Sequence, residues 1–187
     1  MQTTIHLKLD PWFVTGFADA EGCFTVTFQK NPGLKMAIAY LRFKLALHKK
    51  DLGVLEQLKA FFCRGSIQST GKNRDSFEFI VKSLKDIQTV IIPHFDKYPL
   101  VSEKRGDYLL FKTVITSMSE KEHLSEDGLL KIVNLKASIN NGLSQKLKAL
   151  FPLSKPYPRP AVGDQTIPHP QWIAGFTPSV EMVLLVY

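Results

Sequence analysis

Along residues 10–22 the apolar side chains Trp12, Phe13, Val14 and Phe17 fall nearly all round a helical wheel, which is the pattern of a buried helix. Asp10 offers a side-chain acceptor at the N-cap, and Pro11 supplies a fixed φ where no N–H is needed. Gly16 and Ala20 are four apart and share one nearly bare face. A mid-helix glycine costs about 1 kcal/mol against alanine, so this face implies close packing by a neighbour. Asp19 and Glu21 fall in the last turn, where the helix dipole disfavours anions. Gly22 is expected to end the helix in the left-handed region. Acids at the unfavourable end of a buried helix break a local rule, as functional sites do, and a divalent cation there would reverse the sign of the problem.

The pattern then changes period. Phe24, Val26 and Phe28 alternate with Thr25, Thr27 and Gln29, giving a half-buried strand. Asn31-Pro32-Gly33 predicts a turn. Leu41, Phe43, Leu45 and Leu47 alternate with Tyr40, Arg42, Lys44 and Ala46 in the returning strand. Asp51 is expected to cap an amphipathic helix through Leu52, Leu55, Leu58 and Phe62. A second hairpin follows, Ser66 to Thr70 and Phe77 to Val81, around a polar turn at Gly71-Lys72-Asn73-Arg74. Phe77, Phe79 and Val81 are expected to face the core, with Glu78, Ile80 and Lys82 facing away. Ser83 opens a helix through Ile87, Ile91 and Phe95. Further helices run through Phe111, Ile115 and Met118, from Ser125 past Leu129, Ile132, Leu135 and Ile139, and from Ser144 to Phe151.

The predicted order is α-ββ-α-ββ-α, an α+β fold with a four-stranded antiparallel sheet, helices on one face and a bare polar face on the other. That bare face carries Arg42, Lys44, Lys72, Arg74 and Lys82 among Thr25, Thr27, Gln29, Tyr40, Gln68, Thr70 and Glu78. A solvated face is the plain explanation. These side chains are also the donors and acceptors that read phosphates and base edges.

Residues 152–170 hold six prolines and predict an extended, semi-rigid linker without a core. The chain then echoes itself, since Gln171 through Thr177 repeats the pattern of Trp12 through Ala18. Aligning Gly175 with Gly16 sets Val180 where Glu21 stands, and Pro178 would cost about 3 kcal/mol inside a helix. The expected division is residues 1–151 as a first repeat with its C-terminal helices, 152–170 as linker, and 171–187 as the start of a truncated or frame-shifted second repeat.

Composition sharpens the choice of partner. With 24 Lys and Arg against 17 Asp and Glu, the 187-residue chain has a formal charge of +7, which favours nucleic acid first and an anionic membrane second. No apolar run approaches a membrane span. Cys23 and Cys63 fit no metal or redox spacing and are expected to be reduced and half-buried. No phosphate loop, dinucleotide fingerprint, zinc-protease motif or nucleophile elbow points to another enzyme class.

The string VTGFADAEG resembles the signature of the LAGLIDADG homing endonucleases, and residues 94–112 and 121–143 resemble segments of the single-chain, two-repeat members encoded in fungal mitochondrial group I introns. The resemblance covers residues 10 to 177. It implies a site-specific endonuclease that hydrolyses double-stranded DNA with Mg²⁺, with the sheet in the major groove and two motif helices packed across a pseudo-dyad. By this resemblance Glu21, with Gly22, holds the catalytic metal. Gly16, Asp19 and Ala20 belong to the helix interface, and Lys104, five after Pro99, reaches toward the scissile phosphate. A glutamine that organises water in relatives corresponds to Leu47 here, so that role is without its residue, and His48 beside it reads as a surface or phosphate-contacting residue. The resemblance also allows a maturase acting on intron RNA, a degenerate fragment that binds DNA without cutting, or a homodimer formed through an exposed Gly16–Ala20 face. Its expected place is the mitochondrion, as an organelle-encoded protein.

Overall fold

The computed structural model describes residues 9–30, 37–70, 75–163 and 165–177. Helix α1 (Pro11–Glu21) starts as its sequence dictates: Trp12 N–H donates to Asp10 Oδ1 at 2.7 Å, with proline in the first turn. It leads directly into β1 (Gly22–Lys30), which pairs with β2 (Ala37–His48). Helix α2 (Leu52–Phe62) precedes β3 (Ser66–Thr70) and β4 (Ser76–Val81). The four strands form one antiparallel sheet in the order β1-β2-β4-β3. The turns expected at Asn31-Pro32-Gly33 and Gly71–Arg74, including Lys72, lie outside the described residues.

The alternation along the strands sorts their faces as expected. Phe24, Val26, Leu41, Phe43, Leu45, Phe79 and Val81 are buried in one core with Leu55, Leu58 and Phe62 of α2. Phe24 is the centre of an aromatic cluster, its ring centroid 5.2 Å from Phe43, 5.5 Å from Phe95 and 5.4 Å from Phe111. Each such side chain contributes about 2–3 kcal/mol by burial.

Ser83 opens the next helical segment by accepting from Asp86 N–H. That segment is α3 (Leu84–Asp86), a π turn (Ile87–Ile91) and α4 (Ile92–Lys97). Pro93 sits at the start of α4 with no N–H for the ladder, and the wide turn just ahead accommodates the missing bond. Helices α5 (Lys104–Ser119), α6 (Glu126–Lys136) and α7 (Gln145–Leu150) follow. Then comes α8 (Pro170–Phe176), capped by His169, which accepts from Gln171 N–H, with proline again at the first position.

Several local expectations are corrected. Gly22 is extended, with φ −72° and ψ 152°, because it is already the first residue of β1. It is glycine for a steric reason: a Cβ there would meet the Ala18 carbonyl oxygen at 2.5 Å. Asp51 makes no capping bond. A 3₁₀ turn (Lys49–Asp51) intervenes, and His48 Nδ1 caps it by accepting from Lys50 N–H. Ile80 and Glu78 are buried although they lie on the polar sheet face, since neighbouring strands and their long side chains cover the middle of that face. Cys63 is exposed at the end of α2 with φ 51°.

The proline-rich linker is held rather than merely extended. Arg159 donates to Asp107 Oδ1 at 2.6 Å, to the Ser138 carbonyl at 3.1 Å and to the Glu103 carbonyl at 2.8 Å. Tyr157 N–H donates to the Asn134 carbonyl. The segment thus lies along α5 and α6 and delivers α8 to α1.

Candidate functional site

Helices α1 and α8 cross at two glycines. A Cβ on Gly16 would lie 2.0 Å from the Trp172 carbonyl oxygen, and one on Gly175 would lie 2.1 Å from the Phe13 carbonyl oxygen. The contacts are reciprocal, so Gly175 answers Gly16 and Trp172 answers Phe13, as a two-fold relation between the helices requires. The Gly16 face is therefore covered within the chain. The expectation of an exposed, self-associating face does not hold where α8 occupies it.

The three acceptors at the C-terminal end of α1 find separate solutions. Asp19 is 4% exposed, and four donors satisfy it: Val101 N–H at 2.7 Å and Trp172 Nε1–H at 2.9 Å on Oδ2, Ser102 Oγ–H at 2.6 Å and Ser102 N–H at 3.3 Å on Oδ1. A buried carboxylate is stable only with such partners. Lys104 Nζ donates to the last-turn carbonyls of Ala18 at 3.1 Å, which also accepts from Gly22 N–H, and of Ala20 at 3.2 Å. This cation complements the negative end of the helix dipole. Burial lowers the Lys104 pKa below the ordinary lysine value, while Asp19, Cys23 and Glu21 pull it upward.

Glu21 alone is exposed, and its carboxylate makes no hydrogen bond among the described residues. Glu21, Gly22 and Lys104 thus gather at one helix end, with Asp19 buried beneath. Ala20 contributes its carbonyl to Lys104. Among the described residues no group of three or more His, Cys, Asp and Glu is arranged to hold a metal.

The polar face of the sheet begins beside that end. Across the β1–β2 pair, Cys23 is opposite Lys44, Thr25 opposite Arg42, and Thr27 opposite Tyr40. Gln29, Tyr40 and Gln68 are exposed, while Thr25, Arg42, Lys44 and Thr70 are half-buried. The Thr27 hydroxyl is buried with no partner among the described residues. Glu78 accepts from Gln68 Nε2 at 2.5 Å and lies 3.6 Å from Lys44 Nζ, and Lys82 Nζ donates to Gln68 Oε1 at 3.3 Å. Lys44, Glu78, Gln68 and Lys82 therefore form one network rather than four separate contacts. Lys72 and Arg74 lie outside the described residues. Leu47 is half-buried against the core and His48 is exposed.

Sequence reasoning missed Ser102 and Trp172 as partners of Asp19. The echo around Gly175 marked the segment of Trp172, and Ser102 reads as a helix cap, but nothing local joined either to Asp19. Asn140 was also missed; its Nδ2–H donates to the Phe24 carbonyl on β1, and its N–H donates to Asp107.

The family model described as LAGLIDADG endonuclease matches residues 14–115. A probable intron-encoded endonuclease 3 of Neurospora crassa is 38% identical over 174 residues, which are 91% of this chain and 32% of that protein. A probable intron-encoded endonuclease 2 of the same organism is 36% identical over 90% of this chain and 40% of its own length. Among solved structures, I-SmaMI bound to an uncleaved DNA target in the presence of calcium ions superimposes with a TM-score of 0.87 at 49% identity, covering 90% of this chain and 57% of that one. The chain thus spans only about a third to two fifths of the curated relatives and somewhat over half of the solved one. A matched signature, a matching four-stranded antiparallel α+β fold and relatives of this similarity lead to one conclusion: the chain belongs to the LAGLIDADG endonuclease family.

Proposed function

We propose that this chain carries the first repeat of a site-specific homing endonuclease that hydrolyses the phosphodiester bonds of double-stranded DNA. In this reading residues 1–151 carry that repeat with its C-terminal helices, 152–170 the linker, and 171–187 the start of a second repeat, of which α8 is the described part. The observation that most supports it is the end of α1, where exposed Glu21 stands beside Lys104 at the edge of a polar, mostly basic sheet face. Relatives are named as endonucleases, and I-SmaMI is described bound to cleaved DNA.

The residues fit a hard divalent cation such as Mg²⁺. Glu21 is an exposed carboxylate next to the backbone carbonyl of Gly22, and one or two carboxylates with phosphate oxygens is the donor set that Mg²⁺ takes. A divalent cation bound there supplies positive charge at the scissile phosphate and lowers the pKa of water. The protein's own part is positioning. Lys104 offers an amine beside the phosphate, kept in place by the carbonyls of Ala18 and Ala20. The network of Lys44, Glu78, Gln68 and Lys82, with Thr25, Gln29, Tyr40, Arg42 and Thr70, presents fixed donors and acceptors to base edges, while the buried Thr27 hydroxyl does not reach them, and backbone contacts supply affinity. The intron-encoded naming of relatives, one of them from an ND4 intron of Podospora anserina, supports mitochondrial origin.

A second reading is a chain that binds DNA without cutting. It rests on Val180, which stands where an acid answering Glu21 would be. A homodimer through α1 would have to displace α8 from Gly16.

Both readings are separated by incubating the purified chain and its Glu21→Gln variant with a randomised duplex library and Mg²⁺. The expected result is weak cleavage by the parent, since Val180 stands where the answering acid would be, and loss of that cleavage with retained binding in the variant, because the amide keeps the shape and loses the charge. Undiminished cutting by the variant removes Glu21 from the site. Binding without cutting by the parent favours the second reading.

A further inference from the structure

Asp19 is the point where two separate parts of the molecule meet. Its Oδ2 accepts from the indole N–H of Trp172 on α8 at 2.9 Å and from Val101 N–H at 2.7 Å. Its Oδ1 accepts from Ser102 Oγ–H at 2.6 Å. Ser102 Oγ in turn accepts from Lys104 N–H at 3.2 Å, and the Lys104 side chain returns to the carbonyls of Ala18 and Ala20 on α1. A continuous hydrogen-bonded path therefore runs from α8 through Asp19 and Ser102 to Lys104.

The path is one-sided. Under the reciprocal glycine contacts Trp172 answers Phe13, and a phenylalanine ring has no N–H to donate. At Gly16 and Gly175 the crossing is backbone against backbone, and Trp12 stacks on His169 at the start of α8; these contacts fix distance but carry nothing toward Ser102. Trp172 is itself only 7% exposed and stacks on Phe176 with ring centroids 4.7 Å apart, so its N–H is aimed by packing rather than by chance.

We infer that Trp172 is a positioning residue, through which the docking of α8 holds Lys104 at the end of α1. This rests on the proposed reading in which Lys104 serves the phosphate. The physical reason is the cost of an incompletely satisfied carboxylate in a buried site. Without the indole N–H, Asp19 keeps fewer donors, and it rotates or draws water to restore them. Either response loosens Ser102 and with it the start of α5, which carries Lys104. The second motif helix thereby completes the first helix's site before contributing any acid of its own.

The test needs no nuclease activity. Trp172→Phe keeps an aromatic ring over Phe176 and removes the donor together with part of the buried ring, and the exchange of α8 reads the packing loss separately. The folded protein is treated with limiting acetic anhydride, and mass spectrometry compares acetylation of Lys104 with that of Lys148, an exposed lysine on α7. Hydrogen exchange of α8 is read in parallel. The expected result is a rise of about fivefold in Lys104 labelling relative to Lys148, the population change for one lost hydrogen bond. Ser102→Ala breaks the path on the other side of Asp19. It should raise Lys104 labelling while α8 stays protected from exchange, and it carries the test alone if Trp172→Phe fails to fold. If Lys104 is labelled as in the parent in both variants, the inference is overturned. It is equally overturned if Trp172→Phe frees α8 yet leaves Lys104 protected, since the tryptophan would then be only a packing residue. A parent that never cuts DNA would sink the proposed function and leave this result standing.

Discussion

One methyl group at Gly16 probes the helix crossing most severely. The Cβ of a Gly16→Ala variant would lie 2.0 Å from the Trp172 carbonyl oxygen, 2.8 Å from its carbonyl carbon and 3.0 Å from Phe176 N. All three are backbone atoms, so no rotamer change relieves them. Comfortable contact needs about 3.5 Å, and the helices must part by roughly 1.5 Å. Against this, alanine stabilises the middle of α1 by about 1 kcal/mol. Helix α8 has seven residues, too few to stand alone. What holds it is mainly the burial of Trp172, about 2–3 kcal/mol, and the bond to Asp19, about 1.5 kcal/mol. Overpacking costs about 1–3 kcal/mol, and here it falls on those same contacts. The core around Phe24 does not depend on α8. The expected outcome is selective undocking of α8 with the rest of the fold intact. Hydrogen exchange read by mass spectrometry should show α8 protection falling about thirtyfold, the equivalent of about 2 kcal/mol. The melting temperature of the remainder should hold or rise slightly. Gly175→Ala, blocked at 2.1 Å by the Phe13 carbonyl, should reproduce the effect from the other side. Parent-like exchange in α8 of the Gly16→Ala variant would refute the close crossing.

Two further outcomes follow from the site and its support. Burial among Phe61, Phe62 and Phe95 lowers the pKa of His94 to about 4, so the folded protein keeps it neutral where the unfolded chain binds a proton. Stability should therefore fall by about 3 kcal/mol as pH drops from 6.5 to 4. Urea unfolding across that window checks it, and a His94→Gln variant that keeps the same slope would remove His94 as the cause. Duplex DNA binding should weaken steeply with salt, and Arg42→Ala and Lys44→Ala should each reduce the log–log slope by about 1 if they meet phosphates. Filter binding at several salt concentrations reads this, and parent-like behaviour in both variants would take the sheet face out of DNA contact.

The legible parts of the fold were those with local causes. Asp10 and Pro11 start α1 through a bond spanning two residues, and Phe24, Val26, Leu41, Phe43 and Leu45 turn inward because side chains alternate along any strand. Misreadings arose where a local rule had more than one outcome. Asp51 has the chemistry of a cap, but His48 caps the preceding turn first. Alternation assigned Ile80 and Glu78 to the polar face correctly, yet it cannot say whether that face is covered at their position. The apolar spacing of Ile87, Ile91 and Phe95 predicts one helix, and it carries no mark of the π turn over Ile87–Ile91 that precedes Pro93.

By itself, then, the sequence determined the elements, their order, the family and the presence of an acid-bearing helix end with a glycine contact above it. Tertiary structure decided what each of those groups meets. Asp19 is completed by Val101, Ser102 and Trp172, the last 153 residues away in the chain. Lys104 reaches the end of α1 from the first residue of α5, 84 residues beyond Ala20 along the chain. Arg159 clips a proline-rich stretch to Asp107. Propensity and periodicity act within a turn or two of chain. The partners of a buried charge are chosen by which distant segments the packed core brings within hydrogen-bonding reach.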